Sequence, residues 1–83
     1  MKTIDSLKTG DQITVTVYGP EGSHLYQLTN AGYRSIEEAI KDAIAHASLK
    51  VNAEDCVFEV ANHETGVDHR YRINAHGHIK LIV

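Results

Sequence analysis

The residues in this chain that could do chemistry are few: six histidines, one cysteine, and a set of cations that strand alternation brings to one side of a sheet. His76-x-His78 is the only tight pair of metal-type ligands. The turn predicted there puts His76 at its tip and His78 on the strand that follows, and no cysteine or carboxylate cluster completes a tetrahedral set. Spacing leaves open whether His24, His63 and His69 meet in space. Cys56 falls in the same alternation as Phe58 and Val60, so it reads as a small buried hydrophobe, with no base marked beside it to make it a nucleophile. Asp42 and His46, four residues apart on a helix, read as a surface pair. There is no G-x-S-x-G, no Walker loop and no G-x-G-x-x-G, and Gly19-Pro20-Glu21-Gly22 lacks the Lys and Ser or Thr that a phosphate loop needs. The expectation is a protein that is not an enzyme and takes no cofactor and no metal.

The cations are more informative. Pairing by parity puts Tyr18, Leu25, Val57, Arg70, Arg72, His78, Lys80 and Ile82 on the sheet face turned away from the helix, and these are the candidate partner-binding residues. Glu59 falls opposite Arg70, a favourable cross-strand pair, but Arg72 falls opposite Lys80, and like charges directly opposite destabilise a sheet. Folding alone does not favour that placement. The aliphatic and aromatic side chains between the cations give this face more apolar surface than simple solvation asks for, and Arg with aromatics is the composition that anchors protein interfaces.

What positions these residues is a helix and the strands around it. Ile36, Ala39, Ile40, Ala43, Ile44 and Ala47 recur at helical spacing, which predicts a helix over 35–48 with one narrow apolar stripe. Ser35 and Glu38 form an S-x-x-E capping box, in which the hydroxyl takes the Glu38 amide and the carboxylate reaches back to the cap. Ile13 to Tyr18 alternates cleanly, and a four-residue turn after it sets Val17 opposite His24, Val15 opposite Tyr26 and Ile13 opposite Leu28, with Leu25 and Gln27 outward. After the helix, a loop over 63–66 sets Val60 against His69, Phe58 against Tyr71 and Cys56 against Ile73. Asn74 to Gly77 suits a type I turn with a left-handed glycine, which pairs Ile73 with Ile79, Tyr71 with Leu81 and His69 with Val83.

The fold class is therefore α+β: a single antiparallel five-stranded sheet with one helix packed on one face, in the order ββαβββ. Residues 1–83 make one domain, with 1–10 as a lead-in in which Ile4 and Leu7 fold over one end of the core. The strand order 2-1-5-4-3 is expected, since a central position hides the apolar run Ile79 to Val83. A hairpin followed by Gly32, a hydroxyl residue and Glu37-Glu38-Ala39 resembles the start of the helix in HicB-type antitoxins. Capping chemistry accounts for the same residues without common ancestry, and three strands after the helix depart from that pattern, so no family is assigned.

The 42% hydrophobic content is ordinary for a globular domain, and no run approaches the roughly 18 apolar residues of a membrane span. A chain without a signal-peptide core and with one cysteine points to the cytoplasm. The net charge is −3 with neutral histidines, and protonating all six carries it to +3. The functional expectation is a small interaction module that binds a protein partner through the open sheet face or an edge strand, as small regulators and inhibitors do, with self-association also open. The alternative is a nucleic-acid-binding module using Arg70, Arg72 and Lys80, which a chain with eight Lys and Arg against eleven Asp and Glu supports less well.

Overall fold

The computed structural model describes Lys8 and residues 10–82; the lead-in packing of Ile4 and Leu7 and the pairing of Val83 lie outside them. The chain forms strands β1 (Ile13–Tyr18) and β2 (His24–Asn30), helix α1 (Ile36–Ala47), a short 3-10 turn (Ala53–Asp55), and strands β3 (Val57–Asn62), β4 (Asp68–Ile73) and β5 (Ile79–Leu81). All five strands are antiparallel to their neighbours in one sheet. The α+β class and the ββαβββ order are as the sequence implies.

The helix starts where its cap chemistry puts it. Ser35 is extended, and its Oγ accepts from the Glu38 amide at 3.1 Å. The return bond differs from the capping box expected: the Glu38 carboxylate takes the Arg34 amide at 2.6 Å, one residue outside the cap. The carboxylate thus ties down the residue that leads into the cap rather than the cap itself. Ile36, Ala39, Ile40 and Ala43 bury fully against the inner sheet face, where Ile13, Val15, Val17, Phe58, Val60, Tyr71 and Ile73 form the other half of the core. Ile44 is only half-buried, because the stripe runs off the sheet at its far end.

The strand order is β2-β1-β3-β4-β5, which corrects the expected 2-1-5-4-3. The reason lies in the helix. β2 and β3 both run antiparallel to β1, so α1 carries the chain from the end of β2 back to the start of a strand parallel to it. Parallel strands need such a crossover, and a 12-residue helix resting on β1, β2 and β3 returns the chain one strand away rather than across the whole sheet. β1 then pairs with β3 over six positions, from Ile13↔Asn62 to Tyr18↔Val57. β5, three residues long, becomes the far edge.

The two later hairpins have the expected registers: Phe58↔Tyr71 and Val60↔His69 in one, Ile73↔Ile79 and Tyr71↔Leu81 in the other. Asn74 holds the last turn by accepting from the His76 and His78 amides, each at 2.9 Å, and Gly77 takes the left-handed conformation at φ +85°. The first hairpin differs. Val15 pairs with Leu28 and Val17 with Tyr26, two residues from the expected register, and a bulge between Val17 and Tyr18 sets Tyr18 opposite His24. The slip is even, so Gln27 stays on the outer face, opposite Thr16 rather than Thr14. Leu25, the extra residue of the bulge, does not.

Candidate functional site

The outer face is organised by β4, which carries Arg70 and Arg72 two residues apart and so on the same side of the sheet. On β3 the observed register sets Glu59 beside Arg70, and one step further sets Val57 beside Arg72. On β1 the same two residues meet Thr16 and Tyr18. The result is a row Tyr18, Val57, Arg72, Lys80 crossing four strands, next to a row Thr16, Glu59, Arg70, Ile82. Ile82 belongs to it through its amide, which donates to the Arg70 carbonyl at 2.8 Å.

Where the first row meets the β1–β2 turn, Tyr18, Gly19, Pro20, Gly22, Val57, Arg70 and Arg72 line an open hollow of about 330 Å³. Its polar groups are not equivalent. The Tyr18 hydroxyl donates to Glu59 Oε1 at 3.2 Å, while Glu59 Oε2 lies 3.8 Å from Arg70 Nε. Desolvation, followed by the Glu59 charge and hydrogen bond, raises the Tyr18 ionisation, so the phenol stays a neutral donor. Arg70 is thereby committed to Glu59, although at 3.8 Å on an exposed surface the pair contributes little to stability. Arg72 is not committed. It faces Lys80 directly, and among the described residues neither side chain has a hydrogen bond or ion pair. Arg72 also forms part of the wall of a second hollow, of about 620 Å³, shared with Glu54, His78 and Lys80.

Of the eight residues expected here, Tyr18, Val57, Arg70 and Arg72 converge on the first hollow, His78 and Lys80 on the second, and Ile82 flanks them. Leu25 is the correction. The bulge turns it away from the arginines: its Cδ1 lies 3.2 Å from where a β-carbon on Gly19 would stand, and it lines a small cavity with Ala47 to Val51 at the end of the helix. The place opposite Thr16 goes to Gln27, and His24 stands opposite Tyr18, its ring edge-on at 6.0 Å. The turn residues Gly19, Pro20 and Gly22 were legible as a turn but carried no sign that they wall a hollow.

The remaining candidates go to separate neighbourhoods. His24 sits by Tyr18, His63 Nε2 lies 2.7 Å from Thr14 Oγ1, and the His69 ring packs edge-on to Tyr71 at 6.4 Å. No group of three or more His, Cys, Asp or Glu side chains is placed to hold a metal among the described residues. Cys56 is fully buried, and burial first, then Asp55, pushes its thiol up, away from the thiolate a nucleophile requires. Asp42 and His46 do pair, at 3.2 Å, but Asp42 also accepts from the Tyr33 hydroxyl at 2.6 Å. Burial and Asp42 push the Tyr33 phenol up to about 12, so the phenol keeps its proton at ordinary pH and its bond to Asp42 tethers the loop before the helix.

No protein-family model, no curated protein and no solved structure matches this chain.

Proposed function

We propose that this chain is a small non-enzymatic interaction module, of the regulator or inhibitor kind, that docks a protein partner on the outer face of its sheet. One observation carries the reading: Arg72 and Lys80 stand directly opposite each other on β4 and β5 with no counter-charge bonded to either among the described residues. The sheet gains nothing from that arrangement. A partner does, because the guanidinium fork offers planar, bidentate bonding to a carboxylate and a flat face to an aromatic ring. The hollow beside it, with Val57 and Pro20 as apolar walls and Tyr18 at its edge, suits an inserted side chain.

A nucleic acid is the weaker occupant. Of the three cations that reading needs, Arg70 is already engaged by Glu59, and the carboxylate itself would repel a phosphate brought into the cluster. The test is a parallel capture from host extract with the wild-type chain and with Arg72→Glu. The variant should fold at least as well as wild type, because an opposite-charge pair with Lys80 replaces a like-charge one, and it should lose the captured protein. Capture that is unchanged in the folded variant overturns the reading. Bound material that is released steeply with added salt and proves to be nucleic acid moves it to the alternative.

A further inference from the structure

The two edges of the sheet are unlike. β5 presents three residues and carries Lys80, a short and charged edge of the kind that discourages pairing. β2 presents seven residues, His-Leu-Tyr-Gln-Leu-Thr-Asn, with no proline, no lysine and no formal charge apart from its histidine. Among the described residues it has β1 as its only neighbour in the sheet. Such an edge is a template for another strand.

Which of its backbone groups are free follows from the ladder. Backbone bonds alternate sides along an antiparallel strand, and His63 N–H donates to the Gln12 carbonyl at 2.9 Å, one step beyond the Ile13↔Asn62 pair. Gln12, Thr14, Thr16 and Tyr18 therefore turn their backbone groups toward β3, and Ile13, Val15 and Val17 turn theirs toward β2. Their partners there are Asn30, Leu28 and Tyr26. The amides and carbonyls of Gln27 and Thr29, both exposed residues, are left pointing off the edge.

The bulge removes His24 and Leu25 from the regular part of the strand, which leaves Tyr26 to Asn30 with Leu28 at its centre. That run is self-complementary. A second copy laid antiparallel about Leu28 puts Leu28 opposite its own counterpart, and Gln27 and Thr29 each opposite the other residue of the second copy. The two Gln27–Thr29 pairs exchange four hydrogen bonds. The two Leu28 side chains meet in a non-hydrogen-bonded position, where cross-strand side chains approach most closely. Tyr26 and Leu28, half-buried against the core from the helix side, keep an uncovered flank at this edge that the second copy covers. No charge opposes a copy of the same strand.

We infer that a second copy of this chain pairs with it along the free edge of β2, joining two five-stranded sheets into one continuous sheet with a twofold axis at Leu28. This site is separate from the Arg72 face, so either can fail without the other.

The test is sedimentation of the purified chain from micromolar to about 1 mM, combined with amide hydrogen exchange read residue by residue. A dimer should form as concentration rises, with protection appearing at Gln27 and Thr29 while Tyr26, Leu28 and Asn30 are protected throughout. Gln27→Pro removes the outward amide without touching the β1 ladder and should weaken the dimer at least about tenfold, since two of the four bonds go. Gln27→Lys, which leaves the backbone intact, guards the edge with a charge and should weaken it several-fold even if the proline variant folds poorly. Arg72→Glu should dimerise as wild type does. A chain that stays monomeric across the range overturns the inference and leaves the edge to a strand from a different protein. A dimer indifferent to both Gln27 variants, or protection at Gln27 and Thr29 that ignores concentration, overturns it as well.

Discussion

Tyr33 sits 6% exposed among core residues with its hydroxyl on Asp42, and that combination holds its proton to about pH 12 where a free tyrosine releases it near 10. A group whose ionisation is raised on folding stabilises the protein fully below the unfolded value and ceases to do so as pH climbs through the folded one. The Tyr33 contribution is therefore complete up to about pH 10 and disappears between about 10 and 12. Tyr33→Phe should be less stable than wild type at pH 7 by about 1.5 to 3 kcal/mol, the worth of a hydrogen bond to a charged acceptor. The gap should close above pH 10, because only the wild type has a phenol at position 33 to ionise. Urea midpoints of the two proteins from pH 8 to 12 check this, and a constant gap would mean that folding does not raise the Tyr33 phenol. Nothing in the sequence marked this residue. A single aromatic in the patternless stretch Ala31 to Arg34 has no periodicity to reveal that it is buried, whereas Cys56 could be read as buried because Phe58 and Val60 share its alternation.

Among the elements, the helix and the two later hairpins were readable because each is fixed by local chemistry together with parity. Ser35 stops the helix on one side, and Asn74 and Gly77 fix the length of the last turn. A register shifted by one residue would have put charged residues against the core. The first hairpin departs from its expected register because alternation counts residues and cannot see one that is extra. Gln27 stays on the outer face, and yet the bulge moves Leu25 off it. For the same reason the cluster of Tyr18, Val57, Arg70 and Arg72 was legible while its His24 neighbour was not. The helix cap offers the direct test at this scale. Ser35→Ala removes the acceptor for the Glu38 amide and should cost roughly 0.5 to 2 kcal/mol in urea unfolding. The Glu38 carboxylate keeps its bond to Arg34, so Ser35→Ala together with Glu38→Ala should cost more than Ser35→Ala alone. Equal midpoints for wild type and Ser35→Ala would show that the carboxylate alone sets the helix start.

At the scale of the whole molecule, parity fixes which face a residue takes but not which strand lies beside it. Both β3 and β5 offer an alternating apolar face that could flank β1, and hiding the run Ile79 to Val83 favours β5. The crossover decided otherwise, and the sheet tolerates β5 at its edge because the strand is three residues long and both residues remain half-buried against the core. This difference has a direct physical consequence. With β5 at the edge, a chain ending at His78 retains the β2-β1-β3-β4 ladders and the whole helix contact, and it loses the cover that Ile79 and Leu81 give to Tyr71 and Ile73. Losing the buried parts of Ile79 and Leu81 and uncovering Tyr71 and Ile73 in part should cost on the order of 3 kcal/mol, using the usual worth of buried aliphatic surface. The shortened chain should therefore keep its helical circular dichroism and unfold in one cooperative transition at a lower urea concentration. With β5 between β1 and β4, the same truncation would sever the sheet down its middle and leave no cooperative transition, so the shape of the urea curve distinguishes the two arrangements.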